Sequence, residues 1–275
     1  MRNLLILLFA SLIAAPAAFA ADDAKLPPAE AEAKAVLDKS PRHGEYVDVP
    51  GPGGKTLKAF VVYPERKEKA PVVIVIHEIY GLSDWIKSVA DQLAADGFIA
   101  IAPDMLTGMG PGGGGTESIT DRQQVTKMVS GMKSDVVMAN LNAVRDYGMK
   151  LPAASGKTAT IGFCWGGARS FEYAAAQPEL SAAVVYYGTS PADAPAYEKI
   201  KAAVQGHYGG NDARVNQTIP TAETNMKKGN KTYQPHVYEG AGHGFLRAQA
   251  GSEANAKAAQ QAWPATIAFL REQTK

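Results

Sequence analysis

The chain has 275 residues, of which 46% are hydrophobic, with 28 basic side chains against 27 acidic ones. That is enough apolar material for one substantial core. The near-balance of charge excludes the clustered basic excess that a nucleic-acid surface needs. The single cysteine, Cys164, excludes an internal disulfide.

The chain opens with Arg2, an apolar run over residues 4–13, Pro16, and Ala18-Phe19-Ala20 before Ala21-Asp22-Asp23. A positive start, a short apolar stretch and an A-x-A site read as a secretory signal peptide over residues 1–20, cleaved after Ala20. The alternative, a retained membrane anchor, is opposed by the short apolar stretch and by Pro16. The mature protein is therefore expected to be periplasmic or secreted, with no membrane attachment. Residues 21–42, rich in Ala, Lys, Glu and Pro, read as a leader arm, helical or loose. Residues 43–275 read as a single domain.

Strand signals over residues 45–49 and 57–63 flank the turn cluster Pro50-Gly51-Pro52-Gly53-Gly54, predicting an antiparallel hairpin at a sheet edge. The β-branched run at 72–76 marks a strand buried on both faces. Residues 83–96 carry helical spacing, with Trp85, Val89, Ala90 and Leu93 on one face. A second buried strand follows at 98–102. The segment 108–115 holds six glycines and one proline, so it reads as a flexible loop. It lacks P-loop and dinucleotide spacing. A helix at 134–149 and a strand at 158–161 lead to Gly162-Phe163-Cys164-Trp165-Gly166-Gly167, followed by a helix over 168–177. Strands at 182–187 and 202–207, a helix at 214–228, a weaker strand at 232–238 interrupted by Pro235, and a helix at 254–272 complete the pattern. Strands alternating with helices predict a mostly parallel, doubly wound sheet with an antiparallel N-terminal edge and helices on both faces.

Strand, Gly-x-Cys-x-Gly and helix form the layout of a nucleophile elbow, with cysteine as the nucleophile. The turn is sharp, so the positions two before and two after the cysteine must lack bulk, and both are glycine. The helix N-terminus is expected to lower the thiol pKa. The bland alternative is a buried structural thiol. A cysteine nucleophile benefits from a base and a group that orients it. Asp212 and His243 follow Cys164 in the chain order nucleophile, acid, histidine, each in a glycine-rich loop past a strand. Asp212 has a competing reading as a turn aspartate satisfying local amides, and Asp104 fits that reading better still. His77-Glu78-Ile79 follows the most buried strand. The amides of Ile79 and Trp165 are the candidate oxyanion donors. Glu78 is either a charged group at the mouth of the sheet or a solvated loop carboxylate. No second histidine sits at helical spacing from His77, so no metal is expected, and nothing implies a cofactor.

Taken together, His77-Glu78-Ile79-Tyr80-Gly81-Leu82, Ala102-Pro103-Asp104, the cysteine elbow, Tyr186-Tyr187-Gly188, Gly209-Gly210-Asn211-Asp212 and Gly242-His243-Gly244-Phe245 resemble the dienelactone hydrolase family of α/β-hydrolases over roughly residues 45–272. The resemblance implies an α/β-hydrolase fold and a triad of Cys164, His243 and Asp212. It also implies that Glu78 pairs with the resting thiol and helps form the thiolate, and that Arg247 contacts a substrate carboxylate. The chemistry would be hydrolysis of a small ester or lactone through an acyl-thioester. Dienelactone-specific members carry a second arginine after the Pro-Asp loop, where this chain reads Met105-Leu106-Thr107-Gly108-Met109. Two other functions remain open on the residues: acyl transfer on the same triad, and a thiol-bearing binding or redox-responsive protein. Oligomeric state is not legible.

Overall fold

The structure is a computed structural model that describes residues 25–275. The expected signal peptide lies outside the described residues. The leader arm enters through a single 3-10 turn, Glu30–Glu32, and a short helix α1, Ala33–Leu37. The other elements follow in chain order: β1 Gly44–Pro50, β2 Thr56–Val62, β3 Ala70–Ile76, α2 Asp84–Ala95, β4 Ile99–Pro103, α3 Arg122–Ser130, α4 Ser134–Met149, β5 Ala154–Phe163, α5 Trp165–Ala176, β6 Ala182–Tyr186, α6 Ala194–Lys199, β7 Ala203–Gly209, α7 Ala213–Asn216, α8 Ile219–Lys228, β8 Tyr233–Tyr238 and α9 Glu253–Gln273.

The strands form one sheet in the order β1-β2-β4-β3-β5-β6-β7-β8. The β1–β2 and β2–β4 pairs are antiparallel, and every pair from β4 to β8 is parallel. The expected doubly wound α/β architecture with an antiparallel N-terminal edge is therefore present. Alternation along the buried strands divides the core. Val73 and Val75 face one side, with Trp85, Val89 and Leu93 of α2 and Trp263 and Ile267 of α9. Val72, Ile74 and Ile76 face the other, with Val137, Leu141 and Val144 of α4 and Phe171 of α5. Burial on both faces explains why β3 and β4 read as unbroken apolar runs. Among the described residues no helix is long and apolar enough to cross a membrane.

Three local expectations are corrected, and one helix was not expected. The helix expected over 214–228 is two helices, because Thr218 Oγ1 donates to the Val215 carbonyl at 2.7 Å and Pro220 supplies no amide to carry the ladder through. The strand at 233–238 is continuous across Pro235, which pairs opposite Gly206 on an edge strand; at an edge a missing amide is tolerated. The segment 108–115 is a pinned turn: Gly110 N donates to Gly114 O at 2.9 Å around a 3-10 turn at Pro111–Gly113. Asp104 fixes its far end, its carboxylate accepting from Thr116 N and Thr116 Oγ1, both at 2.6 Å. Helix α3 was not anticipated, although Asp121 caps it through the Gln123 amide at 2.8 Å and Val125 and Val129 bury one face.

Candidate active site

The elbow sits at the carboxyl end of β5, between β3 and β6, the edge at which sites form in parallel sheets. Cys164 adopts φ 55 and ψ −113, and α5 begins with the next residue, Trp165. A non-glycine residue in this region is strained. The strain is held by tight packing on either side of it. A Cβ on Gly162 would lie 1.9 Å from the Gly166 carbonyl oxygen, and one on Gly166 would lie 2.2 Å from the Ile76 carbonyl oxygen. Cys164 N donates to Tyr186 O at 3.0 Å, locking the turn to β6.

The amides of Trp165 and Ile79 both act on the Cys164 sulfur, favouring its anion. Two separate elements thus aim donors at one point, the arrangement required to hold a developing oxyanion. His77 positions both. Its Nδ1 donates to Glu78 O at 2.7 Å and its Nε2 accepts from Met105 N at 3.4 Å, while its ring stacks on Trp165 at 5.5 Å. With both nitrogens committed to backbone and the ring fully buried, His77 is a structural, neutral imidazole, its pKa lowered by burial.

The thiol is not activated at rest. Burial, and next the negative charge of Glu78, push the Cys164 pKa up to about 11, against the pull of the two amides and of Arg214. The expectation of a thiol pKa lowered by the helix N-terminus is therefore corrected: desolvation outweighs the helix terminus. Glu78 is buried, which removes its reading as a solvated loop carboxylate. Burial raises its pKa to about 7, opposed chiefly by Arg247. Its oxygen lies 2.8 Å from Arg247 Nε. Arg247 therefore reaches the site by pairing with Glu78, while Glu78 acts on the thiol through its charge.

His243 Nδ1 lies 2.5 Å from Asp212 Oδ2. Asp212 lies past the end of β7 as the N-cap of α7, and Ala241, two residues before His243, is held by Asn211 N donating to its carbonyl at 2.9 Å. Asp212 fixes one ring nitrogen and leaves Nε2 free to act as a base. No hydrogen bond joins His243 to Cys164 among the described residues. Tyr187 neighbours His243. Its ring meets the His243 ring edge-on at 5.2 Å, it feels the charges of Glu78, Arg247 and Cys164, and among the described residues its buried hydroxyl has no partner.

The structure thus gathers Cys164, Glu78, Ile79 and Trp165 at one point, pairs Asp212 with His243, and pairs Arg247 with Glu78. Sequence reasoning missed Arg122 and Glu30, which adjoin Arg247, and the orphan hydroxyl of Tyr187. The spacing of Val125 and Val129 behind Asp121 would have revealed the helix that carries Arg122. Among the described residues no group of three or more His, Cys, Asp or Glu side chains is placed to hold a metal ion.

Residues 57–274 match the sequence profile of the dienelactone hydrolase family. A carboxymethylenebutenolidase of Pseudomonas putida is 29% identical over 205 residues, covering 74% of this chain and 86% of its own length. The crystal structure of a dienelactone hydrolase-like promiscuous phosphotriesterase from metagenomic libraries superposes with a TM-score of 0.73 at 25% identity, covering 85% of this chain and 99% of that one. A dienelactone hydrolase from Anabaena variabilis shares the fold, with a TM-score of 0.64 at 19% identity over 85% of this chain and 99% of that one. The profile runs from β2 through the elbow and both loops of the Asp212–His243 pair to the end of α9, and so this chain belongs to the dienelactone hydrolase family.

Proposed function

We propose that the protein is an exported hydrolase of small esters or lactones that works through a Cys164 acyl-thioester. The observation that carries this reading is the convergence of the Trp165 and Ile79 amides on the sulfur of a strained elbow. A structural thiol has no use for that arrangement.

In this mechanism the substrate carbonyl enters beside the two amides. Rotation about the Cα–Cβ bond of Cys164 turns the sulfur toward His243, which takes the thiol proton on Nε2. Catalytic hydrogen bonds of this kind often tighten only when substrate is bound. The thiolate attacks the carbonyl carbon, and the electron pair moves onto the carbonyl oxygen, held by Ile79 N and Trp165 N. Collapse of the adduct breaks the bond to the ester oxygen, which leaves with the proton from His243. In a lactone the leaving alcohol stays tethered to the acyl group. Water, deprotonated by His243, attacks the thioester, and the departing thiolate recovers a proton. Asp212 keeps the imidazole in the required tautomer throughout. Glu78 sets the timing, since its charge keeps the thiol protonated while the site is empty.

The raised thiol pKa argues against the redox-responsive reading, because the thiolate is the form that oxidises. Acyl transfer uses the same steps with an alcohol or amine in place of water, and product analysis with added nucleophiles separates the two. The deciding experiment is an ester and lactone screen comparing wild type with Cys164→Ala. Turnover is expected only in the wild type, and equal turnover by the variant would overturn the proposal.

A further inference from the structure

The leader arm docks beside the Glu78–Arg247 pair. Pro27 O accepts from Gln249 Nε2 at 2.8 Å, Pro28 O accepts from Trp85 Nε1 at 3.0 Å, and Glu30 N donates to Arg247 O at 3.1 Å. Ala33 is fully buried against the α2 side of the core. This docking delivers the Glu30 carboxylate between two guanidinium groups. One oxygen lies 2.9 Å from Arg122 Nη2, and the other pairs with Arg247 Nη1. Both guanidinium groups sit over the Tyr80 ring, with their carbons 3.8 Å and 5.2 Å from its centroid for Arg122 and Arg247.

Two arginines converging on one carboxylate, with an aromatic platform fixing their planes, form a cradle for a carboxylate ligand. Here the chain itself supplies the ligand, from more than two hundred residues away from Arg247. The cluster contains two cations, Arg122 and Arg247, and two carboxylates, Glu30 and Glu78, so its charges offset one another. A substrate carboxylate would have to displace a tethered group, whose effective concentration is in the millimolar range or above. The adjoining groove, ≈ 370 Å³, sets Leu82, Ile119 and Val125 beside the charged side chains of Asp84, Lys87 and Glu117 as well as Glu30 and Arg122.

We infer that Glu30 is a built-in carboxylate that fills the Arg122–Arg247 cradle, so that the site selects uncharged esters and lactones over those bearing a carboxylate. The inference rests on the ester and lactone reading above and adds a substrate class to it. Glu30 acts as a specificity-determining residue, from a segment that lies outside the part of the chain matching the family profile.

The test compares wild type with Glu30→Gln on para-nitrophenyl butyrate and para-nitrophenyl hydrogen succinate, esters that differ by a carboxylate. Wild type is expected to favour the butyrate. Glu30→Gln is expected to shift the ratio of kcat/KM values toward the succinate by on the order of tenfold, through KM. Adding Arg122→Gln to Glu30→Gln is expected to reverse that shift. A second readout needs no turnover: succinate is titrated calorimetrically into Cys164→Ala with and without Glu30→Gln. Binding on the order of tenfold tighter with Glu30→Gln supports the inference. An unchanged substrate ratio together with unchanged succinate binding overturns it. If wild type turns over neither ester, the hydrolase reading fails, and the succinate titration still decides the role of Glu30.

Discussion

Asp212 serves two structures with one carboxylate: Oδ2 holds His243 Nδ1 at 2.5 Å, and Oδ1 accepts from Val215 N at 3.4 Å, capping α7. The contacts of this residue thus suit both of its competing readings, the proposed orienter and the turn aspartate. Asparagine is as good a helix cap as aspartate, but it cannot hold the imidazolium that the proposed mechanism forms in each half-reaction. Asp212→Asn is expected to keep its stability within about 1 kcal/mol while kcat for a good ester falls on the order of a hundredfold or more. Thermal unfolding and steady-state kinetics on the same preparation check both halves. A parallel loss of stability would mean that the cap dominates.

The charge of Glu78 keeps the neighbouring thiol protonated. Glu78→Gln removes that charge and leaves Arg247 less neutralised, and both changes favour the thiolate. The inflection in the rate of Cys164 alkylation by iodoacetamide is expected to move down from the region of about 11 in the variant. An unchanged inflection would assign the raised pKa to burial alone.

Glu78 also links folding to pH. Burial raises its pKa from 4.5 to about 7 in the folded protein. Between those values the folded state holds a proton that the unfolded chain has released. Its contribution to stability is therefore fully present below about 4.5 and is lost as pH rises through about 7. The effect is at most about 3 kcal/mol. His77 works in the opposite direction, since its lowered pKa removes stability as pH falls below its ordinary value. Measuring stability across this range in wild type and Glu78→Gln isolates the carboxylate: the difference between the two curves is expected to grow with pH and to level off above about 7. A pH-independent difference would show that Glu78 titrates normally.

The parts of this site that sequence reveals are those whose geometry is local. Gly162 and Gly166 announce the elbow because a two-residue radius around Cys164 decides whether the turn can close. The loops of Asp212 and His243 follow strands directly, so topology alone brings them to one edge. The thiol pKa was misjudged because its main causes are tertiary: burial, and a carboxylate arriving from the loop after β3. Arg122 and Glu30 were missed for the same reason, since they are 92 residues apart and meet only when the arm docks. Short helical signals such as α3 were outweighed by the neighbouring glycines, whose turn proves to be pinned by Asp104.

Gly166 is where elbow and sheet touch. A methyl group there would lie 2.2 Å from Ile76 O and 2.5 Å from His77 O, and neither backbone atom can retreat without shifting β3. Gly166→Ala is expected to cost about 3 kcal/mol or more and to displace the Trp165 amide from the sulfur. Denaturant unfolding measures the first effect. The second appears as a kcat loss in the fraction that remains folded. A variant with wild-type stability and kcat would show that the close approach is relaxed in solution.

Asp104 joins the glycine-rich turn to the site. Its carboxylate accepts from Leu106 N at 3.0 Å and from the amide and hydroxyl of Thr116. Thr116 Oγ1 in turn accepts from Leu82 N at 3.1 Å, close after the Glu78-Ile79-Tyr80 turn. One buried carboxylate thereby anchors the turn that carries Ile79, the proposed oxyanion donor. Asp104→Ala strands these donors, each costing about 1–3 kcal/mol if water does not reach it. Because the glycine-rich segment can open to water, the loss is expected to appear as local opening more than as global unfolding. Amide exchange over residues 108–116 should accelerate well beyond that of β3, with kcat falling as the Ile79 amide loses its support. Uniform acceleration across the sheet would instead show that Asp104 supports the whole core.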